Sequence, residues 1–423
     1  MAPFWKSAAL FFVALRFGDL VNAVIGIWLV PRYVAADQLG AVMPLVQAAV
    51  LVATPVAVLV APYSRLLAVH AARGELGEAK AMVRDATLLA FAFSLLSAAA
   101  APLLLPPLFS RFGIENGRLG LAIVGSAAVG ALAPVFSETV RALGRFGLLS
   151  FVHAAAAPVR LAAMLVALPV RGLTGYFAGQ AAGPAFVSAF SLGVFLRRVR
   201  GIRPKPYWRG DRRAFLSFLV PFAALSAVSS VRGMAEMMPM SFIPREQSAA
   251  YYQISRFTEI AAYFGLSVSY LLFPVVAARQ ARGADSTGLL ARSMLFASVG
   301  GLAVSAALAA VSPALFSAVP FLAPYRPFVR YMLPFGAVAS LRVSEGCFVA
   351  HETARGDFRF LRWALPVHAA SVAVLALVCR GPEAFRLGPW SLSGVVAAMS
   401  VPALALFCGA SATVAFRARR GAA

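Results

Sequence analysis

The sequence has 423 residues, of which 61% are hydrophobic and only 13% are charged. A soluble protein of this size needs a polar surface that this composition cannot supply, so the expected environment is a lipid bilayer. The formal net charge of +22 would indicate nucleic acid in a soluble protein, but in a membrane protein basic residues first mark the cytoplasmic loops, so no nucleic-acid partner is expected.

Apolar stretches recur along the whole chain, each long enough to cross about 30 Å of hydrocarbon. Backbone polar groups in lipid must be satisfied within the segment, so these stretches are predicted to be helices. The fold class is therefore an all-α polytopic membrane protein with a first span that is retained rather than cleaved. Twelve spans are predicted, at 8–30, 40–62, 86–108, 119–140, 147–169, 173–196, 214–240, 249–275, 288–311, 328–350, 362–379 and 391–416.

The loops set the predicted orientation. With the N-terminus in the cytoplasm, cytoplasmic segments carry 24 Lys and Arg residues, and the opposite side carries 9. This asymmetry places both termini in the cytoplasm. The longest hydrophilic stretch is basic and rich in Pro, so it predicts a cytoplasmic linker at 197–213 that contacts anionic lipid headgroups. The linker separates an N-terminal six-helix lobe, 1–196, from a C-terminal six-helix lobe, 214–423.

Charged residues lie inside several predicted spans, where a charge is costly and usually faces a cavity or a partner. Span one carries Arg16, Asp19 and Asn22 at steps of three, which places them on one helix face. Asp19 is a candidate for ion coupling because carboxylates carry protons in many pumps, although a neighbouring Arg16 would keep it ionised. Arg160 on span five has no partner at helical spacing, so it either pairs with an acid on another helix or binds a substrate anion.

The second half carries more such residues. Span seven places Ser229, Arg232 and Glu236 on one face, and span ten carries Arg342 and Glu345 three residues apart. Span eight has a polar and aromatic stripe formed by Tyr252, Arg256, Glu259, Tyr263, Ser267 and Tyr270. Tyrosine suits a sugar ring and arginine suits pyrophosphate, so all these residues are candidates for substrate binding. The alternative is that each Arg–acid pair only locks helices together.

Repeated landmarks indicate that the second half is a copy of the first. Gln38 and Gln247 are separated by 209 residues, as are Gly74 and Gly283. The phrase "ETVRALGRF" at the end of span four returns as "ETARGDFRF" at the end of span ten. The acids of this phrase can pair with arginines three residues later. Each half has an even number of spans, so the two copies share one orientation, as in transporters built from parallel repeats.

Several of these segments resemble a known family. "VPRYVAADQLGAVMPL", "SRLLAVHAARGELGEAKAMVR", "ALGRF", "ARGDFRF" and "REQSAAYYQISRF" are similar to segments of the polysaccharide exporter and O-antigen-type flippase branch of the multidrug/oligosaccharidyl-lipid/polysaccharide (MOP) exporter superfamily. The resemblance covers most of the chain. It implies two six-helix lobes, a cavity lined by spans one, seven and eight, and alternating access. It also implies a bacterial inner membrane location, a polyprenyl-pyrophosphate-linked sugar substrate, and polysaccharide assembly proteins as partners.

Three functions are weighed. The leading hypothesis is a flippase for a lipid-linked oligosaccharide, since five arginines face four acids inside the spans. The second is a multidrug or toxin cation extruder of the same superfamily, which would favour an acidic cavity. The third is a membrane polysaccharide polymerase or ligase, which is disfavoured because the outside loops are short, so no enzyme is expected.

Cofactor chemistry has no recognisable sequence motif. The three Cys residues and four His residues show no ligand spacing, so no disulfide framework or metal site is predicted. A nucleotide-binding Gly-rich loop is also not recognisable, so the sequence predicts no cofactor.

Overall fold

The structure is a computed structural model that describes residues 2–111, 117–207, 212–237, 240, 243–280, 284–380 and 392–422. These residues form helices and connecting turns, with no strand among them. The helices are α1 Ala2–Val24, α2 Val30–Tyr33, α3 Ala36–Leu39, α4 Val42–Ala72, α5 Leu76–Leu104, α6 Pro106–Arg111, α7 Gly117–Ala142, α8 Phe146–Gln180, α9 Ala182–Arg198, α10 Arg212–Met237, α11 Arg245–Gln280, α12 Thr287–Ala318, α13 Met332–Arg355, α14 Leu361–Arg380 and α15 Leu392–Ala422. A π-helical turn, Ile25–Leu29, joins α1 to α2, and a 3-10 helix, Ala323–Tyr331, precedes α13.

Within the described residues, each predicted span is mostly helical. Nine helical stretches within the described ranges are long and apolar enough to cross a membrane. One of these runs from Gly147 to Arg198 and covers the two predicted spans 147–169 and 173–196. The spans predicted in α11 and α14 are helical as well, but they fall outside those nine stretches. The many polar residues of α11 explain its lower hydropathy.

The long stretch from Gly147 to Arg198 is divided at Gly172. This glycine has φ 49° and ψ −127°, a conformation that breaks the helix inside α8. A side chain at Gly175 would collide with the backbone carbonyl of Ala167, and one at Gly179 would crowd Met164. The chain therefore turns back on itself at Gly172, and the glycines let the two arms of this hairpin approach closely.

The chain forms two compact units. Unit 1 comprises Met1–Gln38 and Leu45–Ser230, and unit 2 comprises Leu39–Pro44 and Val231–Ala423. The transition between them falls inside α10, at Ser230, rather than in the basic segment that precedes this helix. The boundaries of the two functional lobes stay a prediction.

In unit 1, side chains of α4, α5, α7 and α9 form an apolar core. The basic segment after α9 folds back onto this unit. The Lys80 ammonium donates hydrogen bonds to the backbone carbonyls of Val199 and Ile202, and the Lys205 amide donates to the carbonyl of Gly77. Since these contacts hold its backbone, residues 199–205 form a docked strap. The core side chains include Val56, Tyr63, Leu67, Met82, Val83, Val135 and Phe195.

In unit 2, α12 and α13 pack through small residues on both helices. A side chain at Gly301 would meet Ser340, and one at Gly336 would meet Ser305. Such reciprocal contacts let two membrane helices approach closely and gain dispersion energy in a solvent that gives little hydrophobic drive.

The outer surface is apolar. Leu103 is 80% exposed, Val170 78% and Leu121 77%, and many other large apolar side chains are exposed along the helices. Water would penalise such a surface, whereas lipid accepts it. The described residues therefore form a multi-pass membrane protein.

Candidate functional site

An ion-pair network lies inside unit 2, between α10 and α13. Arg232 Nε lies 3.8 Å from Glu236 Oε1, and Arg232 Nη1 lies 3.6 Å from Glu345 Oε2. Arg342 Nη2 lies 2.8 Å from Glu236 Oε2. The side chain of Glu236 is only 3% exposed and that of Arg232 only 12%.

Helical spacing predicts two pairs in this network, and one of them, Arg232 with Glu236, is present. Glu345 was expected to pair with Arg342 on its own helix, and that prediction was wrong: Glu345 faces Arg232 of α10, and Arg342 faces Glu236. Cross-helix pairs hold two separate helices together, whereas local pairs would stabilise only one. Removing a single partner would leave a buried charge without compensation, which is strongly unfavourable.

His368 of α14 joins this network. The side chain is 1% exposed, and Nε2 lies 3.6 Å from Glu345 Oε1. The sequence shows no ligand spacing around this histidine, so its place in the network was missed. Only the tertiary packing of α14 against α13 brings the imidazole to the glutamate.

The predicted stripe on α11 forms one continuous chain of contacts. The Arg256 guanidinium lies 5.2 Å from the ring centroid of Tyr252 and donates a 2.9 Å hydrogen bond to Glu259. The hydroxyl of Tyr263 donates to the same carboxylate at 3.2 Å. Arg256 also contacts the sulfur of Met43 near the start of α4, in the stretch Leu39–Pro44 that belongs to unit 2.

The structure refines what this stripe can do. Tyr252 is fully buried, so its ring supports Arg256 and has no free face for a sugar. Glu259 and Tyr263 are partly exposed. The side chains of Ser267 and Tyr270, predicted to extend the stripe, lie outside the described residues.

Two further polar side chains of α11 escaped sequence reasoning. Tyr251 is buried, and its hydroxyl donates to the sulfur of Met237 at 3.7 Å. Gln253 is fully buried, and neither end of its amide makes a hydrogen bond with the described residues. An unsatisfied buried amide is costly, which makes Gln253 an unusual residue for the interior of a helix.

In unit 1, the predicted pair on α1 is present. Arg16 Nη2 lies 2.8 Å from Asp19 Oδ2, and the guanidinium lies 5.6 Å from the ring centroid of Phe12. Asn22 is half-buried, and its Oδ1 accepts no hydrogen bond from the described residues. Arg160 lies half-buried on α8, the helix that packs along α1.

Ser229 also belongs to unit 1 and is half-buried. Arg232 and Glu236, predicted to share its face of α10, belong to unit 2. The one helix therefore contributes residues to both units.

The repeated phrase forms an ion-pair cluster in each unit, but with different partners. In unit 1, the Glu138 carboxylate lies 2.7 Å from Arg141 and accepts a 2.6 Å hydrogen bond from Ser64 of α4. The predicted pairing three residues apart is confirmed here. The contact with Ser64 ties the end of α7 to α4.

In unit 2, the same pairing prediction was wrong. Glu352 accepts two hydrogen bonds from Arg417 of α15, at 2.6 and 2.7 Å, and a third contact comes from His351 at 2.8 Å. Arg417 also donates to Asp357 at 3.2 Å. The bidentate pair ties the end of α13 to α15 and leaves Arg355 out of the cluster.

Metal binding has no structural support in the parts of the chain that the structure describes. Those parts contain no group of three His, Cys, Asp or Glu side chains able to hold a metal ion.

The comparisons with known proteins reveal similarity only at the level of structure. No protein-family model matches the sequence, and no curated protein matches it. The structure is similar to a MOP superfamily transporter from Pyrococcus furiosus, with a TM-score of 0.68, 14% identity, and coverage of 97% of this chain and 96% of the other. It is also similar to a mutant of the Vibrio cholerae MATE transporter VcmN, with a TM-score of 0.66, 16% identity and 96% of each chain covered. A third similar structure is an inward-facing multidrug resistance MATE family transporter, with a TM-score of 0.60, 14% identity, and coverage of 96% and 98%.

The chain has the fold of a MOP superfamily transporter. This fold has twelve helices in two lobes, so the predicted architecture of two six-helix lobes is confirmed. The coverage of both chains is nearly complete, so the shared fold extends over α11 and α14 as well. At 14–16% identity the similarity establishes the fold, and the substrate must be inferred from the residues of this chain.

Proposed function

We propose that this protein is a membrane flippase that moves a polyprenyl-pyrophosphate-linked oligosaccharide across the bacterial cytoplasmic membrane. The fold is one that serves transport, and the intramembrane arginines favour an anionic substrate. Both termini would lie in the cytoplasm, where the basic loop residues are attracted to the anionic surface of that leaflet.

The proposal depends chiefly on Arg232. Its guanidinium is buried, yet its contacts with Glu236 and Glu345 are longer than a good hydrogen bond. Its Nε and Nη1 atoms make no hydrogen bond with the described residues. A guanidinium has five N–H donors in a fixed fork, and the unused ones suit a phosphate oxygen.

Substrate entry would loosen the network rather than build a new site. A pyrophosphate that approaches Arg232 competes with Glu345 for the guanidinium. The weak native contacts lower the cost of that exchange, since strong bidentate pairs would have to break first. Arg16, Arg160 and Arg256 supply further positive charge within the spans. The polyprenyl tail stays in lipid, and alternating access carries the head group across without making or breaking a covalent bond.

Coupling to an ion remains part of the proposal. Asp19 is the candidate, since a carboxylate inside a membrane helix can bind and release a proton. Arg16 lies 2.8 Å away and favours the ionised form, so protonation would have to accompany movement of Arg16.

A second candidate is a multidrug or toxin cation extruder. Two of the similar structures are MATE family transporters, one of them described as a multidrug resistance transporter. Glu236 is almost completely buried, and its Oε1 makes no hydrogen bond with the described residues, so it could meet a cation. The Pyrococcus furiosus transporter is described as having a binding pocket of reversed polarity that suggests a different function. The same fold can thus serve pockets of different polarity, and the charge preference must be measured.

A direct binding comparison tests the two candidates. Purified protein in lipid nanodiscs is titrated with a short-chain polyprenyl-pyrophosphate-linked sugar and, separately, with tetraphenylphosphonium. We expect the anion to bind, and Arg232→Gln to weaken its binding about tenfold or more, because hydrogen bonds to charged groups contribute about 1.5–3 kcal/mol. The exposed Arg84→Gln variant is the matched control and should bind as the wild type does. Clear preference for tetraphenylphosphonium, lost in Glu236→Gln, would reject the flippase in favour of the extruder.

A further inference from the structure

A second basic site lies at one end of unit 2, away from the intramembrane network. An open cleft of about 440 Å³ lies where α12 begins and where α13 and α15 end. The predicted orientation puts this end at the cytoplasmic surface. Its lining includes Asp285, Arg355, Arg359, Thr413, Phe416 and Arg417.

The three arginines of the cleft are not equivalent. Arg417 is held by Glu352 and Asp357, and Arg359 donates two 3.0 Å hydrogen bonds to the carboxylate of Asp357. The guanidinium of Arg355 makes no hydrogen bond or ion pair with any described residue, and the side chain is only partly exposed. The cleft therefore contains a guanidinium whose donors are not used by the described part of the chain.

The internal repeat shows that this state of Arg355 is particular to unit 2. Its counterpart in the first copy of the phrase is Arg141, which pairs with Glu138 at 2.7 Å and donates to Ser64. In the second copy the equivalent carboxylate, Glu352, is occupied by Arg417. Because Arg417 of α15 pairs with Glu352, Arg355 does not pair with this carboxylate and lines the cleft instead.

Asp285, the acid that lines the cleft, already accepts hydrogen bonds from its own chain segment. Asp285 accepts hydrogen bonds from the hydroxyl and the backbone amide of Thr287, at 2.8 and 3.1 Å, and so caps the start of α12. These bonds, with a smaller contribution from Arg355, lower the pKa of Asp285. These hydrogen bonds hold the Asp285 carboxylate against the first turn of α12 rather than against Arg355.

The other wall of the cleft is apolar. Phe416 is 55% exposed, and it lies on α15 beside Thr413 in the cleft lining. A ligand that fills the cleft would pair an anionic group with Arg355 and lay an apolar part against Phe416. We propose that this cleft binds a phosphate group, and that the headgroup of an anionic glycerophospholipid is its ordinary source.

Binding by the full-length protein in detergent tests this site. The probes are dihexanoyl phosphatidylglycerol, its zwitterionic phosphatidylcholine counterpart, and inorganic phosphate. We expect saturable binding of the phosphatidylglycerol and a loss of about fivefold in Arg355→Gln, the effect of one basic residue near an anionic headgroup. Arg355→Lys should keep most of the affinity. Arg145→Gln is the matched control, because it removes an exposed arginine of the first copy, and it should change affinity less than twofold.

A second variant addresses the shape of the cleft. Thr413→Leu fills the cleft without changing its charge and should also weaken phosphatidylglycerol binding, with thermal unfolding used to show that both variants fold. Inorganic phosphate that competes with the same dependence on Arg355 would identify free phosphate as a ligand of the same site. Equal binding by Arg355→Gln and Arg145→Gln, or equal binding of phosphatidylcholine, would overturn the proposal.

Discussion

At the scale of single residues, Glu236 contributes most to holding the intramembrane network of unit 2 together. It lies 2.8 Å from Arg342 and 3.8 Å from Arg232, and it is almost completely buried. Loss of this buried carboxylate would remove a negative charge that both guanidiniums face in an environment of low polarity. The cost of a substitution therefore depends on whether the opposing charge is removed as well.

Glu236→Leu should destabilise the protein by about 3–5 kcal/mol, because it removes the partner of Arg342 and one of the two acids that face Arg232. The double variant Glu236→Leu/Arg342→Met should recover much of that loss, since the pair is then removed together. Thermal unfolding of the purified variants in detergent measures both. If the double variant were as unstable as the sum of its single variants, the two residues would not be coupled.

Asp357 gives a prediction for pH at the end of unit 2. The hydrogen bonds from Arg359, together with the charge of that residue and of Arg417, lower the pKa of this carboxyl below its usual value of about 3.9. A lowered folded-state pKa contributes stability above the unfolded pKa, and this contribution is lost as the pH falls through the folded value. The difference in Tm between the wild type and Asp357→Asn should therefore be largest near pH 6 and shrink towards pH 3. A difference that grows on acidification would contradict this cause.

At the scale of elements, the hairpin inside α8 shows how glycine enables a close helix contact. Gly172 supplies the turn and Gly175 supplies the space against Ala167. The sequence predicted the two spans on either side of the turn from hydropathy alone. It did not predict which glycine turns the chain, since several glycines lie nearby and only the backbone conformation distinguishes them.

Gly175→Ala should destabilise the protein by about 1–3 kcal/mol, the usual cost of forcing extra volume into a packed contact. Gly130→Ala is the matched control: this glycine also lies inside a helix, but nothing lies within 4 Å of the position of an added side chain. The control should be neutral or stabilised by about 0.5–1 kcal/mol, because alanine favours the helix. Thermal unfolding of the two variants distinguishes them, and equal shifts would remove the role assigned to Gly175.

At the scale of the whole molecule, the twelve-helix, two-lobed fold and the basic loops together predict a single orientation. Both termini and the strap at residues 199–205 should face the cytoplasm. The loop after α6 should face the other side.

Reporter fusions check this orientation. Alkaline phosphatase, which is active only outside the cytoplasm, should be active when fused after residue 116 and inactive when fused after residue 207. The positive-inside distribution supplies the physical reason, because the basic segment 197–213, which includes the strap, carries eight Lys and Arg residues. The reverse pattern would require the opposite orientation, and the proposed cytoplasmic cleft would then lie on the outer surface.

The sequence by itself determined the helical membrane fold, the positions of the spans, the internal repeat and the set of charged residues inside the spans. These follow from hydropathy, chain length and the cost of leaving backbone groups unpaired in lipid, which are local properties. Local spacing also predicted the contacts within one helix, such as Arg256 with Glu259 and Arg16 with Asp19.

Only the tertiary structure decided which charge meets which across helices. Arg232 with Glu345, Glu352 with Arg417, and His368 with Glu345 join residues that are far apart in sequence. No periodicity within one helix can identify such partners, because they depend on how helices pack and rotate against each other. The same packing leaves Arg355 in a cleft while its counterpart Arg141 is paired, a difference that the two similar phrases could not reveal.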